Sequence, residues 1–135
     1  MTGLPDALTG EHAAIYGYGV LGAHLRGPAL DAARQAQAAH RSRRDTLFVD
    51  LAAADEPAPE AAPAYDLPFS VTNQDTAVAL ATQIEERTGA VWRTTLPDVT
   101  GSQRRLALDA LTDCALRAAR WRRMAGKAPG TVALP

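Results

Sequence analysis

The 135-residue chain is predicted to be all-α, a bundle of four helices arranged as two antiparallel hairpins joined by one long crossover. Three observations predict it. Apolar residues recur at alternating spacings of three and four in four separate stretches, the period of a helix face turned into a bundle. Alanine is abundant while aromatic residues are only 5%, a composition suited to closely packed helices and not to sheets. The breaks between the stretches are two short and one long, which dictates how the helices connect. At this length the chain closes one core, so a single domain over 1–135 is expected.

The first helix is expected over about 5–26, with Leu4, Leu8, Glu11, Ile15, Tyr18, Gly22 and Leu25 on one seam. Gly19 and Gly22 within it are expected to let a neighbouring helix approach closely. Gly27-Pro28 breaks the chain, and proline suits the first turn of the next helix because its missing N–H costs nothing there. The second helix, about 28–54, has the seam Leu30, Ala33, Gln37, His40, Arg44, Leu47 and Leu51, in which three consecutive positions are polar. A Pro- and Ala-rich stretch over about 55–72 reads as an extended connection. Thr72 and Asp75 have capping-box spacing and open a third helix over about 73–96, with Ala77, Leu80, Ala81, Ile84, Val91 and Trp92 inward. The fourth, about 102–125, turns Leu106, Ala107, Ala110, Leu111, Cys114, Ala118 and Trp121 inward, and 126–135 reads as a tail.

The two short breaks force antiparallel hairpins. The middle link, about 18 residues, reaches about 60 Å when extended, more than the roughly 37 Å of a 25-residue helix. It can therefore cross the whole bundle, which is the ferritin-like arrangement. Glu11-His12-Ala13-Ala14-Ile15-Tyr16-Gly17-Tyr18-Gly19, Leu67-Pro68-Phe69 and Arg104-Arg105-Leu106-Ala107-Leu108 through Trp121 resemble a family of bacterial ferritin-like domains of unknown function. The resemblance covers nearly the whole chain. It implies the fold and a distant relation to di-iron carboxylate proteins, and no reaction.

Fourteen Lys and Arg against fifteen Asp and Glu give a net charge of -1, which argues against nucleic acid or an anionic membrane as partner. Cys114 is the single cysteine, so an intrachain disulfide is excluded and a reducing compartment fits. With neither a signal peptide nor a membrane span in the sequence, a cytoplasmic protein is expected. A homo-oligomer, with a dimer as the commonest case, is expected for a soluble bundle.

Di-metal bundles draw a Glu from one helix of each hairpin and Glu-x-x-His from the other. Here the first helix offers Glu11, the second Gln37 and His40, the third Glu85, and the fourth Asp109 without a histidine. Pairing about the Gly27-Pro28 turn sets Glu11 level with Arg44 and Ile15 with His40, and Glu85 falls level with His40. Glu11, Gln37, His40, Arg44 and Glu85 therefore read as a salt-bridged polar core in which Arg44 supplies the charge a metal would bring. The expected function is non-catalytic and cofactor-free, serving assembly or partner binding. One alternative is a site using Glu11, His40 and Glu85 for iron or manganese. Others are acid-base use of His40 with Glu85, or a small-molecule cavity lined by Tyr18, His40, Glu85 and Trp92. His12 and His24 lie off the seam and read as boundary or surface residues. Arg117, Arg120 and Arg123, with Arg122 and Lys127, crowd the end of the fourth helix and form a candidate anion or partner patch.

Overall fold

The computed structural model describes residues 3–126. Among these the chain forms four helices, α1 (Leu4–Gly22), α2 (Gly27–Ala53), α3 (Gln74–Thr95) and α4 (Gly101–Met124), and no strand. A 3-10 turn, Leu96–Asp98, joins α3 to α4. Lys127 and the rest of the expected tail lie outside the described residues.

Each helix start has a local cause. α1 and α2 carry Pro5 and Pro28 in their first turns, where no N–H is needed. Gly27, at φ 58°, sits in the left-handed region that glycine enters without strain. At α3 the cap is Asn73, one residue beyond the pair picked from the sequence. Its side chain accepts from Thr76 N at 2.9 Å, while Thr76 Oγ1 accepts from the backbone N–H groups of both Asn73 and Thr72. Thr76 thus closes two donors that Asp75, exposed in the first turn, does not reach.

Side-chain pairings give the helix directions. Gln37 Nε2 donates to Ile15 O at 3.0 Å and His40 meets Glu11, so α2 runs antiparallel to α1. Arg104 on Leu96 O and Arg122 on Glu86 set α4 antiparallel to α3. Trp92 on Glu11 and Tyr18 on Glu85 set α3 antiparallel to α1. It follows that α2 and α3 are parallel, and the segment between them travels the length of the molecule. α1 packs on α2 and α3, α3 packs on α4, and α2 touches α4 only sparsely.

α1 ends at Gly22, four residues before the predicted end. Leu25 then folds back into the core. Losing a turn from α1 slides its pairing with α2 by one turn, so Glu11 lies opposite His40, and Ile15 opposite Gln37. His12 also departs from expectation. It is buried, with Nε2 at 3.0 Å from Pro59 O, and so ties the crossover to α1.

Two apolar clusters fill the interior. One gathers Ala14, Tyr18, Leu21, Ala33, Ala36, Leu80, Ile84 and Trp121. The other gathers Leu4, Leu8, Leu47, Leu51, Trp92, Ala107 and Leu111 at the opposite end. Glu11, His40, Glu85 and Cys114, all fully buried, fall between the two along their helices.

The close helix approach is at Gly17, not at Gly19 or Gly22. A Cβ on Gly17 would lie 2.5 Å from Ile84 Cδ1 and 3.2 Å from its Cγ1, whereas one on Gly19 would meet only Gln37 Nε2 at 3.6 Å and one on Gly22 nothing. Gly17→Leu is therefore expected to destabilise by about 1–3 kcal/mol through overpacking. Gly19→Ala should stabilise by about 0.5–1 kcal/mol through helix propensity. Urea unfolding of the two variants checks both signs.

Candidate functional site

The seam residues that break the apolar pattern meet in the middle of the bundle. Glu11 comes from α1, His40 from α2 and Glu85 from α3, each without solvent exposure. His40 Nδ1 lies 2.5 Å from Glu11 Oε1, and His40 Nε2 lies 2.9 Å from Glu85 Oε2. One imidazole thus bridges two carboxylates, using both of its ring nitrogens.

Two further donors reach the carboxylates from α3 and α1. Trp92 Nε1 donates to Glu11 Oε2 at 2.9 Å. Tyr18 Oη donates to Glu85 Oε2 and accepts from Trp121 Nε1 at 3.0 Å. The result is a continuous chain, Trp92, Glu11, His40, Glu85, Tyr18, Trp121, that ties all four helices together. The Tyr18 ring also stacks on His40, with centroids 5.7 Å apart. Glu85 Oε1 is the carboxylate oxygen left without a hydrogen-bond partner.

Electrostatics fixes the protonation of the middle member. Burial alone pulls the His40 pKa down. The charge of Glu85, the hydrogen bonds His40 donates to both carboxylates and the charge of Glu11 outweigh it and hold the group at about 9. His40 is therefore an imidazolium at neutral pH, donating from both nitrogens. Burial, then the Glu85 charge, pushes Tyr18 well above its ordinary value. The same causes in the same order push up Cys114, leaving its thiol protonated and inert. Two carboxylates against one imidazolium leave the layer short of positive charge. Arg43 and Arg117 supply some of it from beyond contact, since their fields reach Cys114 and Tyr18.

Of the residues expected to form a polar core, Glu11, His40 and Glu85 come together and two do not. Arg44 is part-exposed, with Nε on Asp45 Oδ1 at 3.0 Å, and makes no contact with Glu11. The one-turn slide of α1 against α2 is the reason, since it delivers His40 to the place where Arg44 was expected. Gln37 is spent on the Ile15 carbonyl. Tyr18, Trp92 and Trp121 join the network from positions read as apolar or only loosely polar. Their signal was present in the sequence, because a buried indole N–H or phenol needs a partner, and Trp92 stands two helical turns from Glu85 on the same face.

The site does not fit a di-metal centre. In such a centre carboxylates and imidazoles converge on shared ions, whereas here the imidazole itself stands between the carboxylates with both nitrogens engaged. Helix α4 presents Cys114, Ala110 and Ala118 to this layer, while Asp109 is exposed and Asp113 pairs with Arg43 at 3.0 Å. Among the described residues no group of three or more His, Cys, Asp or Glu is arranged to hold a metal ion. Tyr18, His40, Glu85 and Trp92, expected to line a cavity, are instead joined through Glu11 into one hydrogen-bonded chain. An apolar groove of about 210 Å³ lies elsewhere, between α1 and α3 under Tyr65–Pro68, with Ala13, Gly17 and Leu80 among its walls.

The basic cluster on α4 is divided. Arg122 pairs with Glu86, Arg123 is exposed, and Arg117 and Arg120 line one small cavity against α2.

The chain matches the model of a domain of unknown function (DUF4439) over residues 3–135 and belongs to that family. It is similar to a conserved hypothetical protein, rv2844, from Mycobacterium tuberculosis, whose crystal structure superposes with a TM-score of 0.86. The identity is 38%, and the match covers 90% of this chain and 92% of that one. No curated protein matches.

Two outcomes follow for stability. The folded His40 pKa, about 9, lies above the 6.5 of the free side chain. Its contribution, on the order of 3 kcal/mol, is therefore complete below about pH 6.5 and is lost as pH rises towards 9. Unfolding free energies measured in urea across this window should fall for the native chain and lack that component in His40→Gln; parallel profiles would contradict the assignment. Arg44→Met should change stability by less than about 0.5 kcal/mol, as for an exposed ion pair, measured by the same unfolding.

Proposed function

We propose that this member of the DUF4439 family is a non-catalytic helical scaffold of ferritin-like layout that serves assembly or partner binding, its core held by an ion pair instead of a metal. The observation that carries this reading is the use of both His40 nitrogens by Glu11 and Glu85 within a layer closed to solvent. A metal ligand needs a free nitrogen lone pair, and a general acid or base needs reach to a substrate. His40 has neither. The parallel α2 and α3, with antiparallel hairpins on either side, supports the ferritin-like layout.

The surface is then where the protein acts. Leu108 and Leu116 on α4 are 44% and 52% exposed and offer apolar area for a second copy, in keeping with a homodimer. The cytoplasm suits a buried free thiol at Cys114. No helix among the described residues is long and apolar enough to cross a membrane.

Metal content after incubation with ferrous iron or manganese, followed by desalting, tests the core of the proposal. Substoichiometric metal is expected in both the native chain and Glu11→Ala. One or two equivalents retained by the native chain and lost in Glu11→Ala would overturn it. Light scattering on Leu116→Glu tests the surface: the native chain should be dimeric and the variant monomeric.

A further inference from the structure

We propose that the seam between α2 and α4 binds a small phosphate-type oxyanion, held by Arg117 and Arg120. The seam is sparsely packed, and a cavity of about 130 Å³ opens in it. Ala32, Gln35 and Ala36 of α2 form one wall, and Arg117, Arg120, Trp121 and Met124 of α4 form the other. Two small alanines on α2 make the room.

No carboxylate lines this cavity, and neither arginine forms an ion pair among the described residues. Asp113 lies one turn before Arg117 on α4, the spacing at which an acid and a base normally meet on a helix, yet it is turned to Arg43. Arg117 Nη1 is buried and has no acceptor among the described residues. A guanidinium N–H removed from water without an acceptor is costly. Two guanidinium groups at i and i+3, that of Arg120 exposed, also carry like charges that an anion between them would offset. Trp121 offers no competing donor, because its indole N–H is already given to Tyr18. What the cavity lacks is an acceptor carrying negative charge, and the planar guanidinium fork matches a tetrahedral oxyanion or a carboxylate. The volume admits an anion of phosphate size and excludes a nucleotide.

Two sources supply this chemistry, a free phosphate and the headgroup of an anionic lipid. Inorganic phosphate is titrated into the full chain with ionic strength held constant by chloride, following amide shifts of α2 and α4. Vesicles of phosphatidic acid in phosphatidylcholine are tested in parallel by co-sedimentation. The expected result is saturable binding, weakened at least about tenfold by Arg117→Met, as for one charge-assisted hydrogen bond, and weakened further by adding Arg120→Met. Arg123→Met, which removes an equal charge outside the cavity, should leave it unchanged. Saturation by phosphate supports the free anion, and Arg117-dependent binding to vesicles alone supports the headgroup. Binding of neither, or equal losses in Arg117→Met and Arg123→Met, would overturn the site. Arg117→Lys keeps the charge and guards against misfolding of the Met variant; if it folds and binds as weakly as Arg117→Met, the fork geometry is upheld, and native-like binding would reduce the site to a point charge and overturn the assigned recognition.

Discussion

Two carboxylates buried at the middle of a small bundle set the terms for everything around them. Each is removed from water, and a buried charge without partners costs far more than the few kcal/mol by which a domain of this size is stable. Glu11 and Glu85 share one imidazolium, the indole of Trp92 satisfies the second oxygen of Glu11, and the phenol of Tyr18 adds a donor to the Glu85 oxygen that His40 already holds. Because those donors come from different helices, satisfying the carboxylates fixes how the helices are packed. A one-turn slip of α1 would strand at least one of these charges. The apolar clusters at either end, by contrast, are rich in alanine and leucine, which tolerate small shifts in register. Specificity therefore rests on the polar layer, while most of the burial comes from the clusters.

The same layer differs from a metal-binding core in what balances its charge. A metal-binding bundle gathers negative ligands and balances them with ions, leaving positions open for substrate. Here a proton on His40 provides the balancing charge, and the ring that carries it occupies the middle of the layer. Arg43 and Arg117 at the α2 and α4 seam provide more positive charge at longer range. The charge asymmetry of the core thus reaches the surface at that seam, where α2 and α4 are sparsely packed.

Much of this was legible in the sequence. The four helices follow from spacing, and their pairing from the lengths of the breaks. Glu11, His40 and Glu85 stood out because they interrupt apolar seams. What was missed depends on quantities that spacing does not carry. The end of α1 is set by where Leu25 can turn back into the core, and a four-residue difference there exchanges His40 for Arg44 as the partner of Glu11. His12 looked peripheral because its partner, the Pro59 carbonyl, belongs to the crossover, whose path no periodicity describes. Gly17, not Gly19 or Gly22, carries the close approach because the contact is decided by the angle at which Ile84 of α3 meets α1. The Trp donors were readable as hydrogen-bonding groups, but their acceptors became definite only with the helix register.

The charge on His40 can be observed directly. Nitrogen NMR of the folded chain labelled in histidine should show both ring nitrogens of His40 protonated at pH 7, with no titration until about pH 9. A His40 signal from a neutral tautomer at pH 7, with one bare nitrogen, would contradict the central ion pair and leave the two buried carboxylates in need of another cation.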